Sequence, residues 1–235
     1  MRKLKILLAA GFIVVGLSRV SYAQLKPERL PAQAEKLSGF VPTGWQIEHQ
    51  LEGDLNKDAV ADAVLVLVET MPVNADKENL KDNLAERQRA LLALLKTADG
   101  KWSRAGVATK LLLCTRCGGA FFGVNETPVQ VEIRNGVIVA HQEYGSRNLT
   151  NQTWRLRYDA TTKQFGLIGL DITDFDRNTG LSMQESSNFL VGIKTITKTQ
   201  MNEKGDEKIL SSTRKTIAKT LKPMEAINVE DYYSK

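Results

Sequence analysis

The 235-residue sequence holds two cysteines, two histidines and six prolines, and aromatic residues make up 6% of it. Two thiols cannot staple a disulfide-dense scaffold. His49 and His141 stand far from Cys114 and Cys117, so no short motif supplies the four ligands of a structural zinc site. The low proline content, with 17 glycines, excludes collagen and mucin-like stalks. The sequence has no Gly-x-Ser-x-Gly, no His-Glu-x-x-His and no phosphate-binding Gly-Lys-Ser/Thr. What remains is ordinary globular composition, 42% hydrophobic and 25% charged.

Residues 1–23 read as a secretory signal peptide. Arg2, Lys3 and Lys5 precede an apolar run from Ile6 to Leu17. Ser21-Tyr22-Ala23 then puts small residues where a signal peptidase reads, so cleavage is expected before Gln24. As a helix the run rises about 18 Å, short of a hydrocarbon core of roughly 30 Å. No later stretch approaches the roughly 20 apolar residues of a membrane helix. The expectation is an exported protein, periplasmic or secreted, with no membrane span after cleavage. The formal charge of +5 falls to about +1 without Arg2, Lys3, Lys5 and Arg19. Nothing in that balance suggests nucleic acid as a partner. The C-terminal third is locally basic, but Glu203, Asp206 and Glu207 interleave with its lysines, which reads as solvated surface.

Along the mature chain, residues 24–40 read as a peripheral segment, either a leader arm or a short helix at Ala32 to Leu37. Trp45 opens an extended segment. Ala63 to Val68 is an unbroken apolar run, the pattern of a strand buried on both faces. Residues 70–86 read as a long exposed connection. The leucine spacing from Leu80 to Leu95 fits a helix, yet Ala90 to Leu95 followed by Asp99-Gly100 predicts a strand at 88–96 and a hairpin. Val129 to Ile133 alternates with period two, Asn135-Gly136 turns it, and Val137 to Ala140 returns. Trp154 to Tyr158 and Phe165 to Leu170 form another pair, and Asn178-Thr179-Gly180 another turn. Ser187 to Thr197 reads as one strand, followed by Leu210 to Ala218 across Gly205-Asp206. Hairpins without intervening amphipathic helices predict a mainly β fold. The antiparallel hairpins are assigned to a single domain over 41–235, partly propeller-like, with few or short helices.

Residues 54–62 carry the most specific pattern. Asp54, Asn56 and Asp58 stand at alternate places, the Val60 carbonyl follows, and Asp62 closes the loop. That all-oxygen set suits calcium, a hard ion taking six to eight oxygens, better than zinc or copper. Gly53 to Asp58, with Asp62 leading into Ala63 to Val68, resembles the calcium loops of integrin-type FG-GAP or VCBS repeats. The resemblance implies a structural calcium held by Asp54, Asn56, Asp58, Val60 and Asp62 ahead of a β-strand. The sixth place, normally glycine because the turn there is sharp, is Ala59. An EF-hand would need Glu where Leu65 stands. The competing reading is an acidic turn bonded to its own amides. More widely, that loop, Leu111 to Gly119, Trp154 to Tyr158, Phe165 to Gly169 and Ser187 to Gly192 resemble a group of exported bacterial proteins with no activity attached.

Cys114 and Cys117 are expected to be joined in an exported protein. The alternative is thiol–disulfide exchange, although Gly118-Gly119-Ala120 is a poor helix start for activating a thiolate. Asp171, Asp174 and Asp176 form a second acidic cluster that reads as hairpin surface. Trp45, Trp102, Trp154, Tyr158 and Phe165 read as core. The functional expectation is a non-enzymatic binding or interaction module whose partner is a protein or envelope component. The alternatives are a hydrolase using paired carboxylates and a thiol oxidoreductase using Cys114 and Cys117.

Overall fold

A computed structural model describes residues 25–71, 85–123, 125–202 and 204–233. Residues 1–23, expected to be a signal peptide, and most of the 70–86 connection lie outside the described residues.

The described residues form twelve strands: β1 (Gln33–Ala34), β2 (Trp45–Gly53), β3 (Asp62–Glu69), β4 (Arg89–Lys96), β5 (Trp102–Ala108), β6 (Val129–Arg134), β7 (Val137–Gly145), β8 (Asn148–Asp159), β9 (Gln164–Asp176), β10 (Leu181–Asn188), β11 (Ile193–Met201) and β12 (Glu207–Thr216). They make two antiparallel sheets. One has five strands in the order β1-β5-β4-β3-β2, and the other has seven, running β12 back to β6 in sequence order. The mainly β expectation holds, and helix is confined to four short 3-10 turns.

The five-stranded sheet is a middle layer. All eight residues of β3 are buried, and alternation sends them to two cores. Val64 and Val66, with Leu91 and Ala93 of β4, pack on Ile138, Trp154, Leu156 and Phe165 of the larger sheet. Leu65 and Leu67, with Leu92 and Leu94, face Leu25, Leu30, Phe40 and Trp45. Each such burial is worth about 1.5–3 kcal/mol. This explains β4: leucine prefers helix, but a strand between two apolar layers buries both its faces.

Three expectations are corrected. The helix at Ala32–Leu37 does not form; Gln33 and Ala34 pair with Ser103 and Trp102 instead. The arm is not peripheral, because Leu25, Leu30 and Phe40 are at most 5% exposed and roof the middle sheet. The single strand over Ser187–Thr197 is two strands: β10 ends at Asn188 and β11 starts at Ile193. The Asn188 side chain accepts from the amides of Leu190 and Val191, and Gly192 with φ 70° completes the turn.

Beyond the stacked region, β10 to β12 project as a wing, and every residue of β12 is exposed. The chain then doubles back. Pro223 bridges to Gly166, and the Leu167 amide donates to the Lys222 carbonyl. Met224 and Ile227 plug the gap between the sheets, fully buried. Gly106 permits this, since a Cβ there would clash with the Met224 sulfur.

Candidate functional site

Two regions carry functional weight, the acidic loop and a groove under the wing. In the loop, Asp54 Oδ1 accepts from the Lys57 and Asp58 amides and its Oδ2 accepts from Ala59. Asn56 Nδ2 donates to Asp58 Oδ2 at 2.9 Å, and Asp58 Oδ1 accepts from the Val60 amide. Asp54, Asn56 and Asp58 therefore each accept from amides of their own turn, the pattern of the competing reading. Asp62 lies apart from them in role. It is fully buried, with Oδ2 accepting from the Leu55 amide and Oδ1 from the Lys96 amide, which ties the loop to the end of β4. Burial pushes its carboxyl up from the ordinary value despite those two bonds. Ala59 has φ 65°, so the sixth place does adopt the left-handed backbone that favours glycine. The loop rests on the β6–β7 turn, where a Cβ on Gly136 would stand 3.2 Å from the Asp54 carbonyl.

Cys114 and Cys117 form a disulfide with Cα atoms 5.1 Å apart. Among the described residues, Glu86, Cys114 and Cys117 are the one trio of acidic or thiol groups whose ligand atoms gather within 4.8 Å. Sulfurs joined to each other are not thiolates, and the thiolate is the metal ligand. The neighbouring loop is clamped by charge. Arg89 contacts Glu48 twice and donates to the carbonyls of Leu113 and Thr127, while Arg87 pairs with Glu126.

The second acidic cluster is dispersed along β9. Asp171 meets Arg155 and Ser186, Asp174 accepts from the Thr150 hydroxyl, and Asp176 holds Arg147. His141 Nδ1 stands 3.1 Å from the Thr153 hydroxyl, and His49 lies in β2 on the other sheet.

The groove was not legible in the sequence. It lies between the β9–β11 face and the returning tail, with a volume of about 830 Å³. Leu170 and Ile172 of β9 and Met183 of β10 form its apolar floor, and Phe189, Ile217 and Tyr232 wall it. The tail is fixed in place: the Tyr232 ring stacks edge-on against Trp154 at 4.9 Å, and its carbonyl accepts from Gln152. Tyr144, beside Tyr233, is pushed up to about 12 by burial, so it stays a neutral phenol. The charged lining is paired within the protein. Lys194 meets Glu185 at 2.6 Å and Lys222 meets Asp231 at 3.3 Å. Asp174 also lines the groove and accepts from the Thr150 hydroxyl. Such a wall offers apolar contact, with its charged groups bonded within the protein.

No helix among the described residues is long and apolar enough to cross a membrane. No protein-family model, curated protein or solved structure matches this chain.

Proposed function

We propose that this chain is a non-enzymatic binding module, exported from the cytosol, that holds a neutral and largely apolar ligand in the groove between β9–β11 and the C-terminal tail. The observation that carries the reading is the pairing of the charged lining around an apolar floor. Lys194 and Lys222 are already neutralised by Glu185 and Asp231. An ionic ligand would have to break those pairs, whereas an apolar one only displaces water. In this reading calcium orders residues 54–62, supported by the spacing of Asp54, Asn56 and Asp58 in one turn and by the left-handed backbone at Ala59. Its role is structural, because the loop lies by the β6–β7 turn while the groove lines β9 to β11.

The test is binding of Nile red, a neutral apolar dye whose emission rises on leaving water. The wild-type protein should bind it with a saturable rise. Met183→Trp fills the groove floor and should weaken binding at least tenfold while leaving the melting temperature within a few degrees. No saturable rise, or equal binding by a folded Met183→Trp protein, overturns the reading.

A further inference from the structure

We propose that the outer edge of β12 pairs antiparallel with β12 of a second copy, joining two wings into one continuous sheet. The inference is independent of the groove, which occupies the face of the wing and not its edge.

β12 is the last strand of the seven-stranded sheet, and all ten of its residues are exposed. An edge of that length presents a row of backbone donors and acceptors to any matching strand. Ile209 and Leu210, 66% and 52% exposed, sit near its middle.

The ladder phase fixes which groups point outward. The Ile217 amide donates to Gly192 and the Asn202 amide donates to Asp206. Antiparallel alternation then turns 208, 211, 213 and 215 inward to β11, given the register shift opposite Lys198 and Thr199. Residues 207, 209, 212, 214 and 216 present their backbone groups to solvent. Two copies related by a two-fold axis can therefore set 207 against 214 and 209 against 212, so that the outward groups of these four residues face one another.

Charge selects that register from its neighbours. It places Glu207 opposite Arg214 and Asp206 opposite Lys215, each twice by symmetry. Lys208 faces Thr213, and the Ile209 and Leu210 side chains of both copies gather at the axis. Sliding by two positions one way sets Lys208 against Lys215, like charges that destabilise a cross-strand pair. Sliding the other way sets Glu207 against Ser212 and Asp206 against Thr213, which forfeits both opposite-charge pairs and leaves Arg214 and Lys215 beyond the partner strand. Lysines on an edge usually guard against pairing; here charge favours one register over its neighbours.

The experiment is sedimentation equilibrium on the purified protein from about 1 to 200 µM. The wild type should reach twice the chain mass within that range. Arg214→Glu opposes Glu207 with a second acid and should raise the dissociation constant at least tenfold. Combining it with Glu207→Arg restores the complementary pair and should return the constant to within about threefold of wild type. Each variant is checked for an unchanged melting temperature at monomeric concentration. A wild-type monomer throughout the range overturns the proposal. So does a dimer indifferent to Arg214→Glu, or one that the double variant does not restore.

Discussion

Arg89 and Glu48 meet in a two-pronged ion pair, Nε to Oε2 and Nη2 to Oε1, each at 2.7 Å. The two residues lie on β4 and β2, with β3 between them. Glu48 reaches across because the β2 register shifts between Ile47 and His49, a bulge that re-aims its side chain. Arg89 is only 3% exposed. Arg89→Leu should therefore destabilise by about 3–5 kcal/mol, because it strands a partly buried carboxylate. Adding Glu48→Leu should recover part of that loss. Urea denaturation of both variants measures it.

Ala59 holds a positive φ that glycine adopts without a Cβ penalty. Ala59→Gly should raise stability by about 1 kcal/mol. For a chain of this size that is a rise of roughly 2–4 °C in melting temperature. A thermal scan in chelator measures the backbone effect alone.

Calcium at millimolar concentration should raise the melting temperature over chelator, since a ligand that binds only the folded state stabilises it. Asp58→Asn should shrink that shift. Equal melting temperatures with and without calcium would remove the calcium reading of Asp54, Asn56, Asp58 and Asp62.

The Arg147 guanidinium, with the Asn178 amide, holds the Asp176 carboxyl well below its ordinary value. A depressed folded pKa contributes stability above the unfolded value and loses it as pH falls. Asp176→Asn should therefore lower the melting temperature at neutral pH. The gap from wild type should close progressively as pH drops below about 4. Thermal scans across that range read it directly.

Reducing Cys114–Cys117 should cost no more than roughly 2 kcal/mol, because the closed ring is short. Nile red binding should stay within twofold. A rapidly alkylated thiol of depressed pKa would instead favour exchange chemistry.

The parts of the fold written locally were readable in advance. Ala63 to Val68 shows no alternation, so both faces had to be buried, and β3 is. Asn135 and Gly136, with φ 53° and 76°, make the expected tight turn. What failed depends on distant partners. Leu25, Leu30 and Phe40 are too sparse to show a period, yet they roof a sheet. Phe189-Leu190-Val191 looks like strand interior, but Leu190 and Val191 are 36% and 51% exposed at a turn tip. The signal there was Asn188 and Gly192, outweighed by the apolar run. In the loop, a turn in which Asp54, Asn56 and Asp58 bond their own amides was legible from spacing. The burial of Asp62 under the Lys96 amide was not, because β4 lies beyond a long connection. The groove depends on the tail crossing a sheet face, which leaves no periodic trace.

Met224, Ile227 and Val229 are buried although they follow the last strand, β12. The keystone thus lies outside the strands it joins. A polypeptide cut short after β12 would carry every described strand yet leave the space between the sheets open to water. Closure of the two sheets on each other therefore waits on residues 224–229.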